Sequence, residues 1–260
     1  MPLSTSLKML SFASLLCFMS APASATIVLI KTNMGDFEVN LFDQSTPQTV
    51  NNFLTYVRNG SFNQTIFHRS VPNFIVQGGG FRYTGNNSDP FAAVPTLPAI
   101  QNEARFSNVR GTIAMAKLSG QPNSATNQWF INLVDNSQNL DVQNSGFTVF
   151  GQVTGNGMEI VDAIAKLPNN LVTGFQEVPL QKYSAADAVA KVPVTAANLV
   201  RIESITVINN DPASAANLKP VPNTLIQANR PAEQSSGGSL QAWLLAGLAL
   251  LLACRRYRAQ

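Results

Sequence analysis

Cysteine and histidine are almost missing from this chain of 260 residues, which has two of the first and one of the second. Cys17 and Cys254 both lie in apolar end segments. The body between them has no material for a disulfide framework, a thiol nucleophile or a cysteine metal site. His68 alone cannot build a zinc site or a histidine-centred acid–base scheme. Charge is scarce too, at 12% of residues against roughly 25% in an ordinary soluble chain. The formal net charge of +3 belongs to the ends: Lys8, Arg255, Arg256 and Arg258 are four of the 17 basic residues, and without them the 14 acidic residues outnumber the rest. Nothing here argues for nucleic-acid binding. Hydrolytic machinery is absent as well. There is no Gly-x-Ser-x-Gly elbow, Gly78-Gly79-Gly80 is not followed by Lys-Ser/Thr, and the scattered acidic residues nominate no glycosidase pair.

What is present begins with the two ends. Lys8, the apolar run Met9–Met19 and the small-residue ending Ala21-Pro22-Ala23-Ser24-Ala25 predict a signal peptide over residues 1–25, cut after Ala25. Leu16 stands before Cys17 where a lipoprotein signal wants a small residue, which argues against lipidation. At the other end, residues 211–239 have the Pro-, Asn-, Gln-, Ser- and Gly-rich composition of a flexible spacer, ending in Ser235-Ser236-Gly237-Gly238-Ser239. The stretch 240–254 is apolar apart from Gln241, and a basic tail, 255–260, follows. Arginines behind an apolar stretch stay cytoplasmic, which puts the body outside. At about 1.5 Å per residue the stretch covers about 22 Å, short of a hydrocarbon core of about 30 Å. It reads as a sorting tail, with a simple membrane anchor as the alternative. The Gly-Gly pair, short apolar segment and arginine cluster resemble the GlyGly-CTERM sorting tail of Gram-negative bacteria. That resemblance implies a rhomboid-like sorting protease as a partner, beside signal peptidase. It also implies a periplasmic protein, tethered to the inner membrane or released to the surface.

The body, residues 26–210, is long enough for one core without staples. Thr26–Lys31 is a continuous apolar run, and after Asn33-Met34-Gly35 the residues Phe37, Val39 and Leu41 alternate with Glu38, Asn40 and Phe42. That predicts a β-hairpin. Thr46 as N-cap, Pro47 as first helical residue, Val50, Phe53, Leu54 and Val57 on one face and Gly60 past the end predict a helix. Short strands are expected over 65–70, 74–77, 112–117, 129–134, 148–153 and 200–207. A second helix is expected after Asn156, with Glu159 completing an approximate capping box. Between Leu167 and Leu199, the run Tyr183–Lys191 is a short helical insertion. Many strands, two helices and no repeating βα unit predict an antiparallel barrel or sandwich with helices at its ends.

The chemistry-bearing segment is Phe67-His68-Arg69-Ser70-Val71-Pro72-Asn73-Phe74-Ile75-Val76-Gln77-Gly78-Gly79. A strand–turn–strand reading sends Arg69 to one face and brings Phe74, Ile75 and Gln77 back beside it. On spacing alone, Arg69 is more readily an exposed or ion-paired residue than part of a pocket. The segment closely resembles the Phe-His-Arg-x-x-x-x-Phe-x-x-Gln-Gly-Gly signature of the cyclophilin family of peptidyl-prolyl cis–trans isomerases. Gly111–Ala116, Asn127-Gln128-Trp129-Phe130-Ile131, Leu140-Asp141 and Val149-Phe150-Gly151 follow in the family's order, so the resemblance covers residues 26–208. It implies a mainly β fold: an eight-stranded closed antiparallel β-barrel capped by two α-helices.

The resemblance also implies roles. Arg69 is the catalytic arginine, with Phe74 and Gln77 beside it. Phe74, Ile75, Phe130 and Leu140 line a proline pocket, and Gln77 and Gln128 hydrogen-bond the substrate backbone. Ala116 and Lys117 line the neighbouring subsite, and Phe147 stands where eukaryotic members carry a histidine. Ile75 replaces a common Met. Asn139 replaces an aromatic, which implies weak cyclosporin binding. His68 is read as structural. The implied function is isomerisation of X–Pro bonds in exported proteins by a monomer, with proline-containing polypeptide clients and no cofactor, metal or nucleic acid. A chaperone or surface module that holds proline loops without turning them over is the alternative, and a barrel serving only as a spacer is a third.

Overall fold

The computed structural model describes residues 26–210 and 218–228. The expected signal peptide (1–25), apolar segment (240–254) and basic tail (255–260) lie outside these residues. The apolar run at the start of the body forms β1 (Ile27–Thr32), and the alternating run after the Gly35 turn forms β2 (Phe37–Leu41), paired antiparallel as expected. Helix α1 (Pro47–Arg58) follows, then β3 (Thr65–Ile66), β4 (Arg69–Val71), β5 (Ile75–Gly78), β6 (Phe81–Tyr83), β7 (Phe91–Ala93), β8 (Thr112–Met115) and β9 (Trp129–Asn132). The rest is α2 (Ser137–Leu140), β10 (Val149–Val153), α3 (Gly157–Ala165), α4 (Ala185–Val189), β11 (Arg201–Asn209) and α5 (Leu225–Ala228).

All pairings are antiparallel and join one 11-stranded sheet, in the order β4-β5-β9-β8-β10-β2-β1-β11-β3-β6-β7. The closed eight-stranded barrel of the sequence reading is corrected to this open, curled sheet. The reason lies in one segment. Strands β3 and β4 are separated only by Phe67 and His68, where the chain changes partner. Phe67 N–H donates to Val200 O (3.0 Å), towards β11, and His68 N–H to Gln77 O (3.1 Å), on β5. The curl is bridged by this step instead of by a ladder, and β6 and β7 extend the β3 edge as an added hairpin.

Alternation decides what fills the curl. Val28, Ile30, Val39, Ile113, Trp129, Ile131 and Phe150 turn inward and are buried, and α1 adds Val50, Phe53, Leu54 and Val57. The rings of Phe53, Phe62, Phe67 and Trp129 meet at centroid distances of 5.3–6.4 Å, in the tilted and edge-on arrangements that aromatic quadrupoles favour.

Helix α1 starts at Pro47 as expected, but Thr46 makes no side-chain cap. Glu103, distant in sequence, caps it instead: its Oε2 accepts from Thr49 N–H at 2.9 Å, placing a carboxylate at the positive end of the helix. The capping box expected at Asn156 and Glu159 does not form either, since Asn156 makes no cap hydrogen bond to α3. The helical insertion does form, as α4 with a capping box between Ser184 and Asp187.

Two segments lie outside the curl. Residues 167–199 cover a second apolar cluster built from Ile66, Phe175, Val178, Leu180, Tyr183, Val194 and Leu199. The other falls within the stretch read as a spacer, where residues 218–228 dock on the body. Ser107 N–H donates to Val221 O (2.8 Å) and Asn223 N–H to Arg105 O (2.8 Å), and Asn223 Nδ2 donates to Asp141 O at 2.9 Å. Over these residues the spacer is a strap paired with an exposed backbone edge.

Candidate active site

The β4–β5 hairpin forms as its sequence predicts, with Asn73 in the left-handed conformation (φ 56°) at the turn. Its register sets Arg69 opposite Gln77 and Val71 opposite Ile75. Gln77 then faces Phe130 on β9, Phe130 faces Ala114 on β8, and Ala114 faces Val149 on β10. Residues directly opposite across a sheet share a face. Arg69, Gln77, Phe130, Ala114 and Val149 therefore form one row on the outer face, while Ser70, Val76, Ile131 and Ile113 form the row behind it. With strands about 4.8 Å apart, the backbones carrying Arg69 and Phe130 are separated by about 10 Å, within reach of the two side chains.

The apolar part of this face is a cluster of its own. Ile75, Phe130 and Leu140 are 3–4% exposed and make its floor, and Phe74, Ala116 and Phe147 pack against it half-buried. The rings of Phe130 and Phe147 meet edge-on at 5.8 Å. Asn136 Nδ2 donates to Phe74 O (2.9 Å) and to Asn132 Oδ1 (2.8 Å), fixing the turn that carries Phe74. Arg69, 35% exposed at its side chain, lies on the same face of the sheet as this cluster.

Beside it, a cavity of about 320 Å³ is lined by Gln77, Thr96, Ala116, Lys117, Leu118, Ser124, Thr126 and Gln128. Gln128 Oε1 accepts from Gln77 Nε2 at 2.8 Å and from His68 Nε2 at 3.2 Å. Burial lowers the His68 pKa from 6.5 to about 4, so the ring is neutral at pH 7 and serves as an N–H donor. With both donors on Gln128 Oε1, Gln77 Oε1 and Gln128 Nε2 stay available, one acceptor beside one donor, the complement of a peptide unit. Gly79 (φ 85°) and Gly80 make this approach feasible: an added Cβ would lie 2.6 Å from Asn127 O at the first and 2.8 Å from the Gln128 side chain at the second.

The match covers most of the chain. The family model for "Cyclophilin type peptidyl-prolyl cis-trans isomerase/CLD" fits residues 27–187. The chain belongs to the cyclophilin family. It is 44% identical over 159 residues to a peptidyl-prolyl cis–trans isomerase of Acinetobacter baylyi, covering 60% of this chain and 80% of that one. It is 40% identical over 159 residues to peptidyl-prolyl cis–trans isomerase B of Escherichia coli, covering 59% and 92%. Among solved structures, a Cryptosporidium parvum cyclophilin-type isomerase superposes with a TM-score of 0.51 at 23% identity, covering 72% of this chain and 99% of that one. That likeness bears on the fold.

Within this cyclophilin, the residues singled out from sequence gather in two adjoining groups. Phe74, Ile75, Phe130, Leu140 and Phe147 belong to the apolar cluster, Arg69 and Gln77 share its face of the sheet, and Ala116, Lys117 and Gln128 join Gln77 in the cavity beside it. Lys117 lines this cavity with its side chain held in place. Its Nζ donates to Asn144 O (2.8 Å) and Gly146 O (2.6 Å) and lies 4.8 Å from the centroid of Phe147, so it braces the wall. Burial lowers its pKa from 10.5 to about 8, leaving it mostly charged at pH 7. Asn139 is exposed on α2 beside Leu140 and supplies no ring to the hollow.

Sequence reasoning allowed for an ion-paired Arg69 but did not name the partner. Arg69 Nε donates to Glu177 Oε2 at 2.6 Å, and Glu177 lies in a stretch with no motif to announce it. A larger, polar hollow of about 870 Å³, lined by residues such as Gln48, Gln101, Asn123 and Thr224, contains none of these groups. Among the described residues no cluster of His, Cys, Asp and Glu could hold a metal ion, and no helix is long and apolar enough to cross a membrane.

Proposed function

We propose that this chain accelerates cis–trans isomerisation of X–Pro bonds in exported polypeptides, with Arg69 as the catalytic residue. The observation that carries the reading is the row Arg69–Gln77–Phe130: a fixed cation and an amide pair at the lip of an apolar hollow. The amide barrier of about 18–20 kcal/mol comes from resonance that keeps the bond planar. In the twisted amide the proline nitrogen turns pyramidal and regains a lone pair. A guanidinium holding the substrate carbonyl can donate towards that nitrogen, an interaction unavailable in the planar ground state.

The other residues serve that step. Ile75, Phe130 and Leu140 receive the proline ring, and Phe74 and Phe147 wall it in, keeping water from the charge-assisted hydrogen bond. Gln77 and Gln128 hold the peptide backbone. Ala116 and the cavity edged by Lys117 take the residues before proline. Each factor of ten in rate needs only about 1.4 kcal/mol of preferential transition-state stabilisation. No covalent intermediate or proton transfer is required, consistent with a neutral, half-buried His68.

The compartment is part of the proposal and rests on the sequence: a leader ending at Ala25, and an apolar segment at 240–254 with arginines behind it. In this reading, mature protein isolated from cells begins at Thr26 and is trimmed near Gly237-Gly238. Mass spectrometry of both termini checks this, and an intact Met1 or Gln260 would overturn it. The isomerase assignment is tested with a proline tetrapeptide: Arg69→Ala is expected to be slow, and wild-type turnover would remove Arg69 from the mechanism.

A further inference from the structure

The strand that carries Arg69 is the end strand of the sheet, and its outer backbone groups are not left to water. Ser70 N–H donates to Glu177 O at 2.6 Å, and Ser70 O accepts from Asn169 Nδ2 at 2.7 Å. The 167–199 segment thus closes the open edge of β4 at the residue next to the arginine. Glu177 makes the second hold, through its carboxylate on Arg69 Nε at 2.6 Å. It does so from a left-handed backbone conformation (φ 58°), disfavoured for a residue with a Cβ. Asn170 keeps it there: its Oδ1 accepts from Glu177 N–H at 2.9 Å, and Asn170 is itself left-handed (φ 56°). Strained backbone persists where surrounding bonds over-determine it, and it collects at functional sites.

We infer that Glu177 is a positioning residue for Arg69, and that the 167–199 segment is the second half of the active site. The inference rests on the catalytic reading of Arg69. A carboxylate on Nε fixes the plane of the guanidinium and leaves the Nη groups, which hydrogen-bond no other described residue, for the substrate carbonyl and the twisting nitrogen. An arginine without this hold has several freely rotating torsions, and ordering them would fall on the transition state. The pair is 35% and 40% exposed at its side chains. It is therefore a weak contributor to stability, and its effect belongs on the rate.

The test uses five variants and two readouts. Glu177→Ala is expected to lower kcat about tenfold, short of the about 10²-fold that a fully misplaced group can cost, with KM little changed. Glu177→Gln, whose amide oxygen still accepts from Nε–H, should recover most of that loss. In nuclear magnetic resonance spectra the Arg69 Nε–Hε signal should exchange slowly in the parent protein and quickly in Glu177→Ala. Should Glu177→Ala fail to fold, Glu177→Lys at the same half-exposed site carries the test, with at least as large a loss of kcat. Adding Glu177→Ala to Arg69→Ala should slow the enzyme no further. A parent-like or faster kcat for Glu177→Ala, or an additive loss in the double variant, overturns the inference. Parent-like activity of Arg69→Ala alone would instead overturn the catalytic reading beneath it.

Discussion

Strands β5, β8 and β9 present two faces that share a backbone and differ in almost everything else. On the inner face Val76, Ile113, Trp129 and Ile131 are fully buried and meet α1 and the aromatic rings around it. On the outer face Gln77, Ala114 and Phe130 lie in one row with Arg69, with a second glutamine and a cavity at the Gln77 end. One side holds the molecule together and the other carries the proposed site, and a residue's parity in the strand decides which it serves. The comparison can be broken from either side.

The largest effect is expected inside. Trp129→Ala removes the ring at the centre of the aromatic cluster and should cost about 3–5 kcal/mol of stability, read by urea denaturation, while catalysis per folded molecule changes little. A comparable loss of activity at full occupancy of the fold would show that the two faces are not separable. Arg69→Ala should do the reverse. Its barrier should rise by about 2–4 kcal/mol, the range for losing a preorganised donor, with stability shifted by no more than about 0.5 kcal/mol.

His68 lies at the join between the faces and is where pH should act. Its folded pKa, about 4, is below the unfolded 6.5, so between these values the unfolded chain binds the extra proton and stability falls as pH falls. The contribution is up to about 3 kcal/mol. Comparing denaturation at pH 7 and 4.5 with that of His68→Gln isolates it, and equal slopes for both proteins would refute it. The smallest effect is expected at Lys117. Lys117→Met frees the carbonyls of Asn144 and Gly146, so it should cost about 1 kcal/mol and raise KM by about twofold through a looser Phe147. An unchanged KM would return Lys117 to a purely surface role.

What could be read from sequence follows how far each interaction reaches. The Phe67–Gln77 hairpin, helix α1 and the capped α4 are local patterns, and the chain places them as its residues ask. The row of outer-face residues could be named because its motifs are ordered along the chain, although their register is visible only in the sheet. Reading failed where a distant group outcompeted a neighbour. Glu103 takes the cap that Thr46 was expected to supply, and Glu177 reaches Arg69 from beyond six further strands. The closed barrel failed for another reason. It came from the family resemblance, and a shared signature does not foresee that one short segment will divide its pairing between two neighbours.

The strap at residues 218–228 has a practical consequence. A version of this protein shortened to finish with β11 would leave the peptide groups of Arg105 and Ser107 facing water and the carbonyl of Asp141 without its Asn223 donor. That bare edge is a template for a neighbouring molecule. Self-association of such a trimmed enzyme would reflect the missing strap and say nothing about the intact one.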